Sequence, residues 1–121
     1  MAGRTILVVD DSPSERALLS QTLQRVGYEV LTAQDGDTAL QMARSHPPAL
    51  ILLDIMMPGK NGFQVCRQLK ADERTKHVPV VIVSARDQPP DKFWGLRQGA
   101  DEYITKPFDP GRLIEVVQRL T

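Results

Sequence analysis

The stretch Ala49-Leu50-Ile51-Leu52-Leu53-Asp54-Ile55-Met56-Met57-Pro58 sets a carboxylate directly after an unbroken apolar run. Four consecutive apolar residues fit neither strict alternation nor helical spacing. A run this short, bounded by polar residues, reads as a strand covered on both faces, as strands of parallel sheets are. Two more segments repeat the pattern: Ile6-Leu7-Val8-Val9 ahead of Asp10-Asp11, and Val80-Val81-Ile82-Val83 ahead of Ser84. Residues 28–33 and 102–105 are more mixed, as expected of strands at a sheet edge.

Helical patterns fill the intervals. Ser12-Pro13-Ser14-Glu15 has the form of a capping box with proline at the first helical position. After it Leu18, Leu19, Thr22, Leu23 and Val26 share a face, and Gly27 supplies the stop. A second helix runs from about Asp37 through Leu40 and Ala43 and stops before Pro47-Pro48. The third follows Gly62, with Phe63, Val65, Cys66 and Leu69 as its apolar positions. The fourth spans about Pro90 to Gln98 and ends at Gly99. The last starts near Pro110 and presents Leu113, Val116, Val117 and Leu120. Strict β-α alternation implies an α/β fold with right-handed crossovers. With the first, third and fourth strands buried and the second and fifth edge-like, the expected order is 2-1-3-4-5, a doubly wound, flavodoxin-like (βα)5 sheet. In such sheets ligands bind beyond the carboxyl ends of the strands.

The chain's 121 residues predict a single domain over 1–121, and its 41% hydrophobic and 25% charged residues are a globular composition. Fifteen basic residues balance fifteen acidic ones, which gives no electrostatic footprint for nucleic acid or an anionic membrane. One cysteine, Cys66, excludes an intrachain disulfide and a multi-cysteine metal site. No apolar run is long enough to span a bilayer, and the apolar run after Met1-Ala2-Gly3-Arg4 is too short to read as a signal peptide. A cytoplasmic location is expected.

The strand ends then decide the chemistry. The first strand ends in Asp10-Asp11, the third in Asp54, the fourth in Ser84 and the fifth in Thr105-Lys106-Pro107. Two like charges ~4 Å apart cost about 4 kcal/mol at an effective dielectric near 20. Three carboxylates at one sheet edge therefore call for a cation, and Mg²⁺ favours a few carboxylates, water and a phosphate. Asp10, Asp11, Asp54 and Lys106 carry a formal charge of −2, which one Mg²⁺ cancels. Turning Asp54 into an acyl phosphate would replace one negative charge by about two. The cluster is thus poised to accept a phosphoryl group when a divalent ion is present. Taken singly, Asp10 or Asp11 would be a helix cap, Lys106 a surface lysine and Ser84 a strand-end hydroxyl. Asp54, behind four buried residues, is costly without a partner.

Asp10-Asp11, Asp54 with Met57-Pro58 and Gly62, Ser84-Ala85, Gly99-Ala100-Asp101 and Lys106-Pro107 together resemble the receiver (CheY-like) domains of two-component response regulators. The resemblance covers essentially the whole chain. It implies that Asp54 is the phosphoacceptor, loaded from the phosphohistidine of a sensor histidine kinase or phosphotransfer protein. It implies that Asp10, Asp11, Asp54 and the backbone carbonyl of Met56 hold Mg²⁺, that Ser84 and Lys106 bind the phosphoryl oxygens, and that Lys106-Pro107 is a cis peptide. Ser84 and Tyr103 would be the switch residues. The readout would be the face of the fourth helix, fifth strand and fifth helix, binding an unidentified protein target and no nucleic acid. Such a chain is a phosphoacceptor with no separate substrate.

Phe93-Trp94-Gly95-Leu96-Arg97-Gln98-Gly99 is the most individual segment. Helical spacing puts Phe93 and Leu96 on one side and leaves Trp94 pointing away, a candidate partner anchor. With Asp87-Gln88 and Asp91-Lys92, this segment is similar to the PilH-like single-domain receivers of twitching-motility systems. Cys66 is expected to pack as a small apolar group. His46, His77, Arg67, Lys70, Arg74 and Lys76 read as solvated, and Gly36 and Gly62 as turn residues needing positive φ. Arg86 would pair either with phosphate or with an acidic neighbour.

Other chemistries ask for other residues. A phosphatase with an aspartate nucleophile would want a second aspartate two residues after Asp54, where Met56 stands. A flavin or nucleotide protein would want a glycine-rich first loop, where Asp10-Asp11 would repel the anion. A phosphate-independent interaction module would not require the acidic cluster. The chain ends at Thr121, just past the last helix, as a free-standing receiver would or as one whose output domain lies outside this sequence.

Overall fold

The computed structural model describes residues 4–121. Strands β1 (Thr5–Val9), β2 (Glu29–Ala33), β3 (Leu50–Leu53), β4 (Val80–Ser84) and β5 (Glu102–Thr105) alternate with helices α1 (Pro13–Gln24), α2 (Gly36–Ser45), α3 (Gly62–Ala71), α4 (Pro89–Arg97) and α5 (Pro110–Leu120). The strands form one sheet in the order β2-β1-β3-β4-β5, parallel throughout. Register places Val9 beside Leu53 and Ser84 beside Thr105, so the residues that follow them emerge along a common edge.

Alternate strand residues feed opposite layers, because successive side chains of a strand point to opposite faces. Leu7, Val9, Ile51, Leu53, Val80 and Ile82 pack with residues of α2 and α3. Ile6, Val8, Leu50, Leu52, Val81 and Val83 pack with residues of α1 and α5. Both halves of the apolar runs are consumed, which is why those runs show no alternation. The amphipathic faces of α2, α3 and α5 fall where helical spacing puts them.

Two helices depart from that spacing. On α1 the buried residues are Leu19, Thr22 and Leu23, while Leu18 and Val26 are exposed. Helix α1 ends at Gln24, so Val26 lies beyond its last turn, and Leu18 lies beside the β5–α5 connection, where it lines a groove with Pro107 and Phe108. On α4 the expected inward pair, Phe93 and Leu96, is exposed along with Trp94, and the buried residues are Asp91 and Gly95. Helix α4 places no side chain in either apolar layer.

The glycine expectation is also corrected. Positive φ occurs at Gly27, Gly59 and Gly99, not at Gly36 or Gly62. Gly62 is instead required by close approach: a Cβ there would stand 2.7 Å from the Cα of Ile55. This lets the start of α3 lie directly on the backbone that follows Asp54.

Candidate functional site

The site forms where β1, β3, β4 and β5 end. Asp10, one residue past β1, is 1% exposed, and Asp54, one past β3, is 8% exposed. Asp11 is exposed. One carboxylate oxygen from each of Asp10, Asp11 and Asp54 falls within 4.8 Å of the others.

Local hydrogen bonds fix these carboxylates. Asp10 Oδ1 accepts from the Ser12 amide at 3.0 Å, and the Asp10 carbonyl accepts from the Arg16 guanidinium at 2.7 Å. Asp54 Oδ1 accepts from the Met56 amide at 3.3 Å. Lys106 donates to Asp10 Oδ2 at 2.7 Å and to Asp54 Oδ2 at 3.3 Å, and its ammonium lies 3.2 Å from Glu15 Oε1. Burial works against the Lys106 ammonium. The hydrogen bond to Asp10 and the charges of Asp54 and Asp10, with Glu15 added, outweigh it and hold the pKa above the ordinary lysine value. The Lys106–Pro107 bond is cis.

Glu15 is a site residue that sequence reasoning missed. Its spacing from Ser12 made it the reciprocal partner of a capping box. Ser12 Oγ does accept from the Glu15 amide at 3.3 Å, but the Ser12 amide is taken by Asp10. The Glu15 carboxylate is thereby left free to reach Lys106. With Glu15 counted, three carboxylates contact the Lys106 ammonium, and Asp11 is a fourth acid at the site.

Ser84 is fully buried, and its hydroxyl accepts from the Arg86 amide at 3.3 Å. Arg86 pairs with an acidic neighbour: its Nε donates to Asp91 Oδ1 at 2.9 Å. Asp91, on the first turn of α4, also accepts from the Gln88 amide at 3.2 Å. The Tyr103 hydroxyl donates to the Arg86 carbonyl at 2.7 Å, and its ring lies against the core layer of α2 and α3. Burial first, and then the Asp91 carboxylate, push the Tyr103 phenol above its ordinary pKa. An open cavity of about 550 Å³ beside the acids is lined by Asp11, Met56, Asn61, Phe63 and Arg86, among others.

The structure thus gathers Asp10, Asp11, Asp54 and Lys106 into one cluster and links Ser84 and Tyr103 through Arg86. Met56 lies at the rim, 58% exposed. Trp94 stands apart on the outer side of α4, 52% exposed, with Phe93 edge-on to it at 5.9 Å. Cys66 is buried, and desolvation pushes its thiol up to about 11. His46 and His77 are exposed. Among the described residues no helix is long and apolar enough to cross a membrane.

Fold and site together define a class. Residues 6–118 match the model of the response regulator receiver domain, and the chain belongs to that family, the receiver domains of two-component systems. It is 47% identical to protein PilH of Pseudomonas aeruginosa over 112 residues, covering 93% of both chains. It is 50% identical to response regulator PleD of Caulobacter vibrioides over 116 residues, covering 96% of this chain and 26% of PleD. Among solved structures, the receiver domain of sensor histidine kinase PA1611 from P. aeruginosa superposes with a TM-score of 0.91 at 30% identity, covering 98% of each chain. That structure has a magnesium ion coordinated in its active site cleft.

Proposed function

We propose that the chain accepts a phosphoryl group on Asp54 from the phosphohistidine of a histidine kinase or phosphotransfer protein. The observation that carries this reading is the cluster itself. Asp54 is buried, yet it shares a space with two other carboxylates and contacts the Lys106 ammonium.

The donor set fits a hard divalent cation. Asp10, Asp11 and Asp54, within 4.8 Å of one another, would hold Mg²⁺ together with the Met56 carbonyl. When bound, Mg²⁺ supplies positive charge against the phosphoryl oxygens. The protein's own groups do the rest. Asp54 Oδ attacks phosphorus, the P–N bond to the donor histidine breaks, and its electrons return to the imidazole. Lys106 follows the negative charge from the carboxylate to the phosphoryl oxygens, a task suited to a point charge with rotatable donors. The Ser84 hydroxyl gives a second donor once it leaves the Arg86 amide.

Loading then changes the α4–β5–α5 face through Ser84 and Tyr103, and that face, with Trp94 exposed, engages a protein target. The PilH likeness and the magnesium ion in the PA1611 receiver support this reading. The discriminating experiment mixes the protein with a ³²P-labelled histidine-phosphotransfer protein and Mg²⁺. Label should move to this chain, be released by hydroxylamine, which attacks acyl phosphates, and fail to move onto Asp54→Asn. Multi-turnover hydrolysis of small phosphomonoesters would instead select the phosphatase reading. Absence of transfer from any phosphohistidine donor would select the phosphate-independent module.

A further inference from the structure

The elements that would carry the signal meet at Arg86. Its amide donates to Ser84 Oγ, its carbonyl accepts from the Tyr103 hydroxyl, and its guanidinium Nε donates to Asp91. One residue therefore touches the strand-end hydroxyl beside the acids, the ring on β5 and the first turn of α4.

Helix α4 gives that convergence its consequence. It contributes no apolar anchor to either core layer; Phe93, Trp94 and Leu96 all face outward. What it turns inward is Asp91 and Gly95, four residues apart and so on one helix face. Gly95 lies under Ile82 and the Tyr103 ring, where a Cβ would stand 2.9 Å from Ile82 Cδ1 and 3.0 Å from Tyr103 Cδ2. Asp91 is held by Arg86 and by the Gln88 amide. The seat of α4 is polar and small rather than hydrophobic, and it rests on the residues that a loaded Asp54 would disturb.

Two roles are open to Arg86, since it also lines the cavity beside Asp11 and Met56. Turning its guanidinium toward a phosphoryl group would strand Asp91, 9% exposed, without its cation, and a buried charge that loses its partner is strongly penalised. Keeping the pair costs nothing of that kind. We infer that the Arg86–Asp91 ion pair is a strut that transmits the state of Asp54 to α4, with Asp91 a positioning residue acting through Arg86. This rests on the phosphoacceptor reading above. Ser84, on leaving the Arg86 amide, loosens one end of Arg86; the pair with Asp91 passes that displacement to the first turn of α4.

The test compares hydrogen exchange over residues 89–97, with and without phosphoramidate and Mg²⁺, in the wild type, Asp91→Asn and Arg86→Met. Intact mass gives the phosphorylated fraction of each sample. Asp91→Asn is nearly isosteric, and Arg86 is half exposed, so loss of fold in one variant leaves the other to decide. All three proteins should gain one phosphate to a similar extent. The phosphorylation-dependent change in exchange should be evident in the wild type and fall by roughly fivefold in the variants. A merely structural role would alter exchange equally in both forms and leave that difference in place, which would overturn the inference. A loaded wild type whose α4 exchange does not change would also overturn it. A wild type that gains no phosphate would fail the underlying reading instead.

Discussion

Lys106 is surrounded by acids, while Asp11 makes no salt bridge among the described residues. That asymmetry gives two substitutions with opposite uses. Asp11→Asn removes an unrelieved charge, so the metal-free protein should melt roughly 4 °C higher, while added Mg²⁺ should raise the melting temperature of the wild type and not that of the variant. Thermal scans with Mg²⁺ and with chelator read both signs at once. Glu15 competes with Asp54 for Lys106. Since its carboxylate is a third exposed, Glu15→Gln should raise the phosphorylated fraction at a fixed phosphodonor level only about twofold. Intact mass measures it, and a small-molecule donor keeps partner docking out of the result. Residues next to strand ends were legible in the sequence because an acid behind a buried run needs a reason. Glu15 was not, because the same spacing that marks a capping box also brings a side chain to Lys106, and only the position of Asp10 decides between them.

At the scale of elements, helices packed by apolar faces were the readable ones. The periodicities of α2, α3 and α5 picked out the inward faces, with Leu40, Ala43, Val65, Cys66, Leu69, Leu113, Val116 and Val117 buried and Phe63 and Leu120 partly so, because hydrophobic burial chose the face. Helix α4 was misread for the converse reason. Its apolar residues are its outer side, and what holds it is an aspartate and a glycine four positions apart. A glycine within an otherwise good helix, one turn after an acid, was the available sign. Gly95→Ala tests the reading of this seat. Alanine favours a helix by about 1 kcal/mol over glycine, but overpacking against Ile82 and Tyr103 should cost about 2 kcal/mol, so urea unfolding should show a net loss near 1 kcal/mol. Stabilisation would mean that α4 shifts freely over β5. The same physics explains Leu18 and Val26, where the helix ends sooner and the β5–α5 connection lies closer than spacing reveals.

For the whole molecule, strand order followed from which runs were uniformly apolar, since only central strands lose both faces to the core. The pH response is likewise a property of the assembled fold. Cys66, Tyr103 and Lys106 all have folded pKa values raised above their ordinary ones of 9.0, 10.0 and 10.5. The folded state therefore holds these protons more tightly than the unfolded chain does. The stability they contribute is complete below about pH 9 and is lost as pH rises, through about 11 for Cys66 and above the ordinary values for the others. Urea midpoints should fall from pH 9 upward, and Tyr103→Phe should flatten part of the fall above pH 10.

Intact mass after incubation with phosphoramidate across a Mg²⁺ titration should show a gain of one phosphate that saturates with Mg²⁺, disappears with chelator and is absent in Asp54→Asn. Loading that ignores the metal, or that persists without Asp54, would contradict phosphoryl transfer to Asp54 at a metal-dependent site.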